Sequence, residues 1–131
     1  MTRSIRVLHC LGTLNPGGVE IWLMTLLKHL DTKHLQFDFC TFGPEAGLHA
    51  SEAERLGAVV HRCPQHPSSS LGQRFRQVLR EGRYDVVHSH VHLFSGALLR
   101  WASLEGVPIR VAHSHSSHDG KPDSLARTAY R

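Results

Sequence analysis

Three polar stretches of this chain hold the residue types that do chemistry, and each follows a short apolar run. The first is Asn15-Pro16-Gly17-Gly18-Val19-Glu20. Two glycines at the start of a helix allow a tight turn and close backbone approach. The N–H groups and the positive end of that helix can hold phosphate oxygens. The spacing matches neither G-x-G-x-x-G nor G-x-x-x-x-G-K-[ST], so the standard dinucleotide loop and the P-loop are excluded. Glu20 falls in the first helical turn, where a carboxylate complements the helix dipole.

The second stretch is His88-Ser89-His90-Val91-His92. In an extended chain these three imidazoles lie on one face, because side chains alternate. Two chemistries compete for them. One is metal ligation, for which His-x-His at a strand end is a known spacing. The other is hydrogen bonding of a polar ligand by neutral imidazoles. Asp85 sits at the wrong end of the run to complete a metal site. The third stretch, His113-Ser114-His115-Ser116-Ser117-His118-Asp119, offers hydroxyl and imidazole groups to a hydroxyl-rich ligand. It contains no G-x-S-x-G elbow, and the adjacency of His118 and Asp119 does not make a triad. His29, His34, His49, His61 and His66 are isolated and read as surface or packing residues.

Elements must bring these stretches together. Short β-rich runs alternate with longer helical ones. The strands expected are Ile5–Cys10, Leu35–Phe42, Ala58–Arg62, Asp85–His90 and Ile109–His113. Val19–Leu30 is apolar on nearly every side and is expected to be a buried helix. Ala46–Leu56 reads as a more polar helix stopped by Gly57. Leu71–Glu81 reads as a helix ended by Gly82, with Leu71, Phe75, Val78 and Leu79 on one face. Phe94–Glu105 reads as a helix ended by Gly106, with Phe94, Ala97, Leu98, Trp101 and Leu104 on one face. A further helix is expected to begin within Ser124–Arg131. Cys63–Ser70 and Ser114–Asp123 read as loops.

This alternation implies an α/β, Rossmann-like, doubly wound and mostly parallel sheet of about five strands with helices on both faces. In such a sheet ligands bind beyond the carboxyl ends of the strands, near the switch in strand order. That rule selects the three polar stretches, which all follow strands and are expected to share one rim.

The chain has 131 residues, 40% hydrophobic and 20% charged. That length suits one domain of the usual ~100–200 residues. The apolar fraction suffices for a core, which excludes disorder throughout. No apolar run approaches the ~18 residues of a membrane span. The N-terminus lacks the long apolar run and small-residue cleavage site of a signal peptide. Cys10, Cys40 and Cys63 are odd in number and form no Cys-x-x-Cys pair. They read as buried reduced thiols of a cytoplasmic protein. The formal charge is +4, with a denser run at Arg74, Arg76, Arg80 and Arg83. No basic block with interleaved aromatics is present, so nucleic acid is not an expected partner.

The segments IRVLHCLGTLNPGGVEIWLMTLL, YDVVHSHVHLFSGALLR and GVPIRVAHSHSS occur in this order on successive strand ends. With them the chain resembles the N-terminal, acceptor-side domain of family-four glycosyltransferases of GT-B fold, the bacterial exopolysaccharide-type members above all. The resemblance covers Arg3 to about Arg131. It implies a retaining transferase that moves a sugar from a nucleotide-sugar donor to a hydroxyl acceptor, a sugar or lipid-linked sugar, in a cleft between two Rossmann-like domains. It implies that Gly17 and Gly18 approach the donor diphosphate and that His90 contacts the donor sugar. His88, His92, His113, Ser114, His115 and Ser116 would then face the acceptor or the cleft. The family works without metal, so neither a cofactor nor a metal is expected, and the nucleotide-sugar is a substrate.

By the same resemblance, residues 1–131 are an incomplete first domain of an enzyme whose second, donor-binding domain carries a Glu-x7-Glu pair. No two glutamates here are eight apart. The chain alone is therefore expected to be inactive or nearly so, to self-associate through a truncated edge, and to work in the cytoplasm or at the inner face of the membrane, with peripheral contact to it. Two other readings of the residues stand beside this one. A metal-dependent hydrolase would use His88, His90 and His92 around a metal-activated water. A non-catalytic α/β module would bind nucleotide or an anionic surface through Arg74, Arg76, Arg80 and Arg83.

Overall fold

A computed structural model describes residues 3–15, 17–43, 45–63, 70–91 and 94–114. The strands are β1 (Ile5–Leu11), β2 (Leu35–Thr41), β3 (Val60–Arg62), β4 (Val86–Ser89) and β5 (Ile109–Ala112). The helices are α1 (Gly18–His29), α2 (Ala50–Arg55), α3 (Leu71–Gly82) and α4 (Ser95–Leu104). The sheet runs β3-β2-β1-β4-β5, and every pairing among the described residues is parallel. Strand order therefore reverses between β1 and β4, which makes that gap the switch point.

Strands buried on both faces need apolar side chains pointing both ways. Val7 and Leu11 of β1 pack with Phe37, Phe39, Leu23, Met24, Leu27, Ala50 and Ala53, so α1 and α2 cover one face. Leu8 and Cys10 point the other way and pack with Cys40, Phe42, Phe75, Val78, Leu98 and Ala102, so α3 and α4 cover the opposite face. The doubly wound α/β arrangement expected from the alternation is the observed one. All three thiols are buried and unbridged, with Cys40 Sγ 3.3 Å from Cys63 Sγ.

Several expectations change in the structure. Helix α1 is not buried all round. Leu23, Met24 and Leu27 face the sheet, whereas Ile21 (53% exposed), Trp22 (44%) and Leu26 (37%) lie on the outer side. One sheet face gives a helix only one surface to bury against, whatever its composition. Helix α2 begins at Ala50 rather than Ala46, because Gly47 takes a positive φ of 105° and the chain there pairs with another loop. Gly82 lies inside α3, and the left-handed terminating residue is Arg83 (φ 51°). The ring of Tyr84 occupies the place where a side chain at position 82 would stand. In α4, Leu104 is exposed, and Ala102 joins Leu98 in the core instead. Gly57 and Gly106 end α2 and α4 with positive φ, as expected. The helix expected from Ser124 lies outside the described residues.

Candidate functional site

The loop after β1 is built by contacts rather than by its own sequence. Leu14 donates its N–H to Ala46 O (2.8 Å) and accepts from His49 N (2.9 Å). Gly43 N donates to Gly12 O (2.7 Å), and Leu48 N donates to Asn15 Oδ1 (3.0 Å). A Cβ at Gly47 would collide with the backbone of Leu14 and Asn15. The β2–α2 loop thus clamps the loop that leads into α1. Gly17 is the residue before α1 and is extended (φ −167°), with no side-chain cap on the helix. The N–H groups of the first helical turn have no partner within the helix itself. Glu20 lies in that turn, and its carboxylate fills the space where a side chain at Gly17 would stand. Around Gly18 no described atom lies within 4 Å of that position.

Beside this turn stands a group of imidazoles. Register pairs His9 of β1 with His88 of β4, so both project from the face covered by α1. His90 follows two residues on, and its N–H is held by Cys10 O (3.0 Å). His113 follows β5, with its N–H on Ser89 O (2.9 Å). His9 Nδ1 lies 3.1 Å from His90 Nε2, and His88 Nε2 lies 3.0 Å from His113 Nδ1. The His88 and His90 rings stack at 4.2 Å between centroids, and those of His88 and His113 at 5.2 Å. Alternation sends Ser89 to the other face, where its hydroxyl meets that of Ser95 at 2.8 Å and ties β4 to the start of α4.

His9 is 3% exposed and packs edge-on against Phe37 at 4.3 Å and beside Phe39. Burial pushes its pKa well below the usual imidazole value, and the neighbouring His90 and His88 add to the shift. The ring is therefore neutral at neutral pH. Its Nε2 is buried with no hydrogen-bond partner among the described residues. Trp22 of α1 meets His113 edge-to-face at 6.1 Å. Gly18, Val19, Trp22 and His113 line a cleft of about 400 Å³ open to solvent.

The structure places Gly17, Gly18, His88, His90, His113 and Ser114 at or after the carboxyl ends of β1, β4 and β5, which lie side by side in the sheet. His92, His115 and Ser116 lie outside the described residues, as do His118 and Asp119. Two residues of the site carry no signal in their own stretch. His9 is a single imidazole in an apolar run, and only the register between β1 and β4 could have found it. Trp22 sits on a helix that reads as core. The basic face of α3 loses part of its case as an anion surface. Glu105 accepts from Arg76 Nε at 2.7 Å and lies 3.7 Å from Arg80 Nε.

A glycine turn at the N-terminus of α1 thus stands near a cluster of imidazoles at the carboxyl edge of a Rossmann-like parallel sheet. Residues 17–131 match the glycosyl transferase 4-like domain, and the chain belongs to that family. It is 34% identical over 116 residues to a Bacillus subtilis protein named as a glycosyltransferase, EpsF, covering 86% of this chain and 30% of that protein. It is 29% identical over 117 residues to the capsular polysaccharide biosynthesis glycosyltransferase CapH of Staphylococcus aureus, covering 89% and 32%. A D-inositol 3-phosphate glycosyltransferase of an Arthrobacter species matches at 26% identity, covering 75% and 27%. The chain thus spans about a third of the length of these curated relatives. No solved structure gives a significant match. Family membership favours glycosyl transfer over the hydrolase and the anion-binding module. Among the described residues no helix is long and apolar enough to cross a membrane.

Proposed function

We propose that this chain is the acceptor-side, N-terminal part of a retaining hexosyltransferase that builds a polysaccharide or glycolipid. The observation that carries the reading is the shared rim: the Gly17–Gly18 turn, His90 and His113 stand together at the β1/β4 switch point. The uncapped N-terminus of α1 would receive the donor diphosphate through backbone N–H groups. That charge grows as the leaving group departs, so fixed dipoles aimed at it lower the barrier. His90, held at the strand end by Cys10 O, would hydrogen-bond a hydroxyl of the donor sugar. His113 and Trp22, on the walls of the open cleft, would face the acceptor.

In the transfer, the bond from the anomeric carbon to the donor phosphate oxygen breaks. A bond from that carbon to the acceptor oxygen forms, and the acceptor proton leaves toward the diphosphate. A nucleotide-binding second half would close the cleft and exclude water. The names and lengths of EpsF and CapH support this division of labour. The enzyme carrying this domain, given a panel of nucleotide-sugars and a hydroxyl acceptor, is expected to yield glycosylated acceptor and nucleoside diphosphate with the anomeric configuration kept. The 131-residue chain alone is expected to yield none. An inverted product, or robust turnover by the chain alone, contradicts the proposal.

A further inference from the structure

The geometry points to a transition-metal site formed by His9, His88 and His90, a ligand class the transfer reading does not call for. One ring nitrogen from each of these residues lies within 4.8 Å of the others. Two of the three already stand close to ligating distance. Nitrogens bound at ~2.0–2.1 Å to a tetrahedral ion are about 3.3 Å apart. His9 Nδ1 and His90 Nε2 are 3.1 Å apart. An ion can replace the proton between them with little movement of either ring. That proton passes to the other nitrogen of the ring that carried it.

The parts of the cluster suit this role. His9 is wedged against Phe37 and Phe39 and gives a fixed arm. Among the described residues no bond at its Nε2 locks the ring in one tautomer, so Nδ1 can present a lone pair. His88 and His90 are half-buried and stack on each other at 4.2 Å, which keeps their ring nitrogens beside that arm. His113 Nδ1, 3.0 Å from His88 Nε2, orients His88 from behind, as partners of metal-bound histidines commonly do. The donors are all imidazole, without a carboxylate. Such a set selects zinc, copper or nickel and discriminates against magnesium and calcium.

This site differs from the His88-His90-His92 set that sequence spacing suggests, because its third arm comes from the neighbouring strand. An ion held there occupies the ring assigned to the donor sugar, so it opposes that contact rather than serving transfer. The test is zinc chloride titrated by calorimetry into the tag-free, chelator-free chain, with cobalt(II) as a spectroscopic stand-in. Stoichiometric binding in the micromolar range or tighter is expected, with the visible absorption of tetrahedral cobalt. His9→Phe, which fits the aromatic slot, and His88→Gln should each weaken zinc binding by about tenfold or more. His34→Gln, at a side chain 78% exposed, should leave it unchanged. If His9→Phe does not fold, His88→Gln decides. No stoichiometric zinc, or affinity unaltered by His88→Gln, overturns the proposal. No nucleotide-sugar enters these measurements, so their outcome leaves the transfer reading standing or falling on its own assay.

Discussion

Gly18 opens α1 with empty space where a side chain would project, whereas the same space at Gly17 is taken by the Glu20 carboxylate. The two glycines therefore differ. Gly17 gives room to an acidic side chain of the first turn, and Gly18 leaves open space that the proposed donor contact would use. Gly18→Val puts branched carbon into that opening without touching the core. We expect it to weaken nucleotide-sugar affinity about tenfold or more, a loss of ~1.4 kcal/mol, with the melting temperature unchanged. Isothermal titration beside thermal unfolding checks this; full affinity in the variant would reduce the turn to a mere bend. At this scale the sequence was partly legible. His88, His90 and His113 stand in dense polar stretches and announce themselves. His9 does not, because its partners come from β4 and a local window holds one imidazole among apolar neighbours. Trp22 was misread for the related reason that composition does not say which side of a helix meets the sheet.

The elements explain why the turn keeps its shape. The β1–α1 loop is held by the β2–α2 loop through the bonds of Leu14 to Ala46 and His49 and of Leu48 to Asn15. Gly47 is the hinge of this clamp, with a φ of 105° and no room for a Cβ against the Leu14 backbone. Gly47→Ala adds a left-handed alanine and a backbone clash. The conformation alone costs about 1–3 kcal/mol, which corresponds to roughly 5–15 °C in melting temperature. Thermal unfolding of Gly47→Ala should register that fall, and donor affinity should drop with it because the turn shifts. An unchanged melting temperature would mean that the clamp is slack. The strands and helices themselves were legible from periodicity, since buried parallel strands and amphipathic helices repeat differently along the chain. The start of α2 and the end of α3 were not. The first is set by a tertiary contact, Gly47 on Leu14, that lies beyond the reach of a local pattern, and the second is off by one residue because Arg83 takes the left-handed conformation expected of Gly82.

For the molecule as a whole, right-handed crossovers turn the alternation of strands and helices into the order β3-β2-β1-β4-β5. That order brings residues far apart in the chain to one rim: His9 and His88 become neighbours, and Trp22 reaches His113. The doubly wound arrangement was therefore legible from the alternation, whereas the strand order itself comes from the structure. The relatives named EpsF and CapH are about three times as long as the matched region. Sugar transfer must accordingly be measured on the enzyme that carries this domain. His90 is half-buried at the strand end, so its removal leaves the core intact while stripping the proposed sugar contact. The decisive measurement is kcat/KM for sugar transfer by His90→Ala beside its melting temperature. The account predicts a loss of about 10²-fold with a melting temperature within a few degrees of the parent. Undiminished kcat/KM in a folded variant would contradict it.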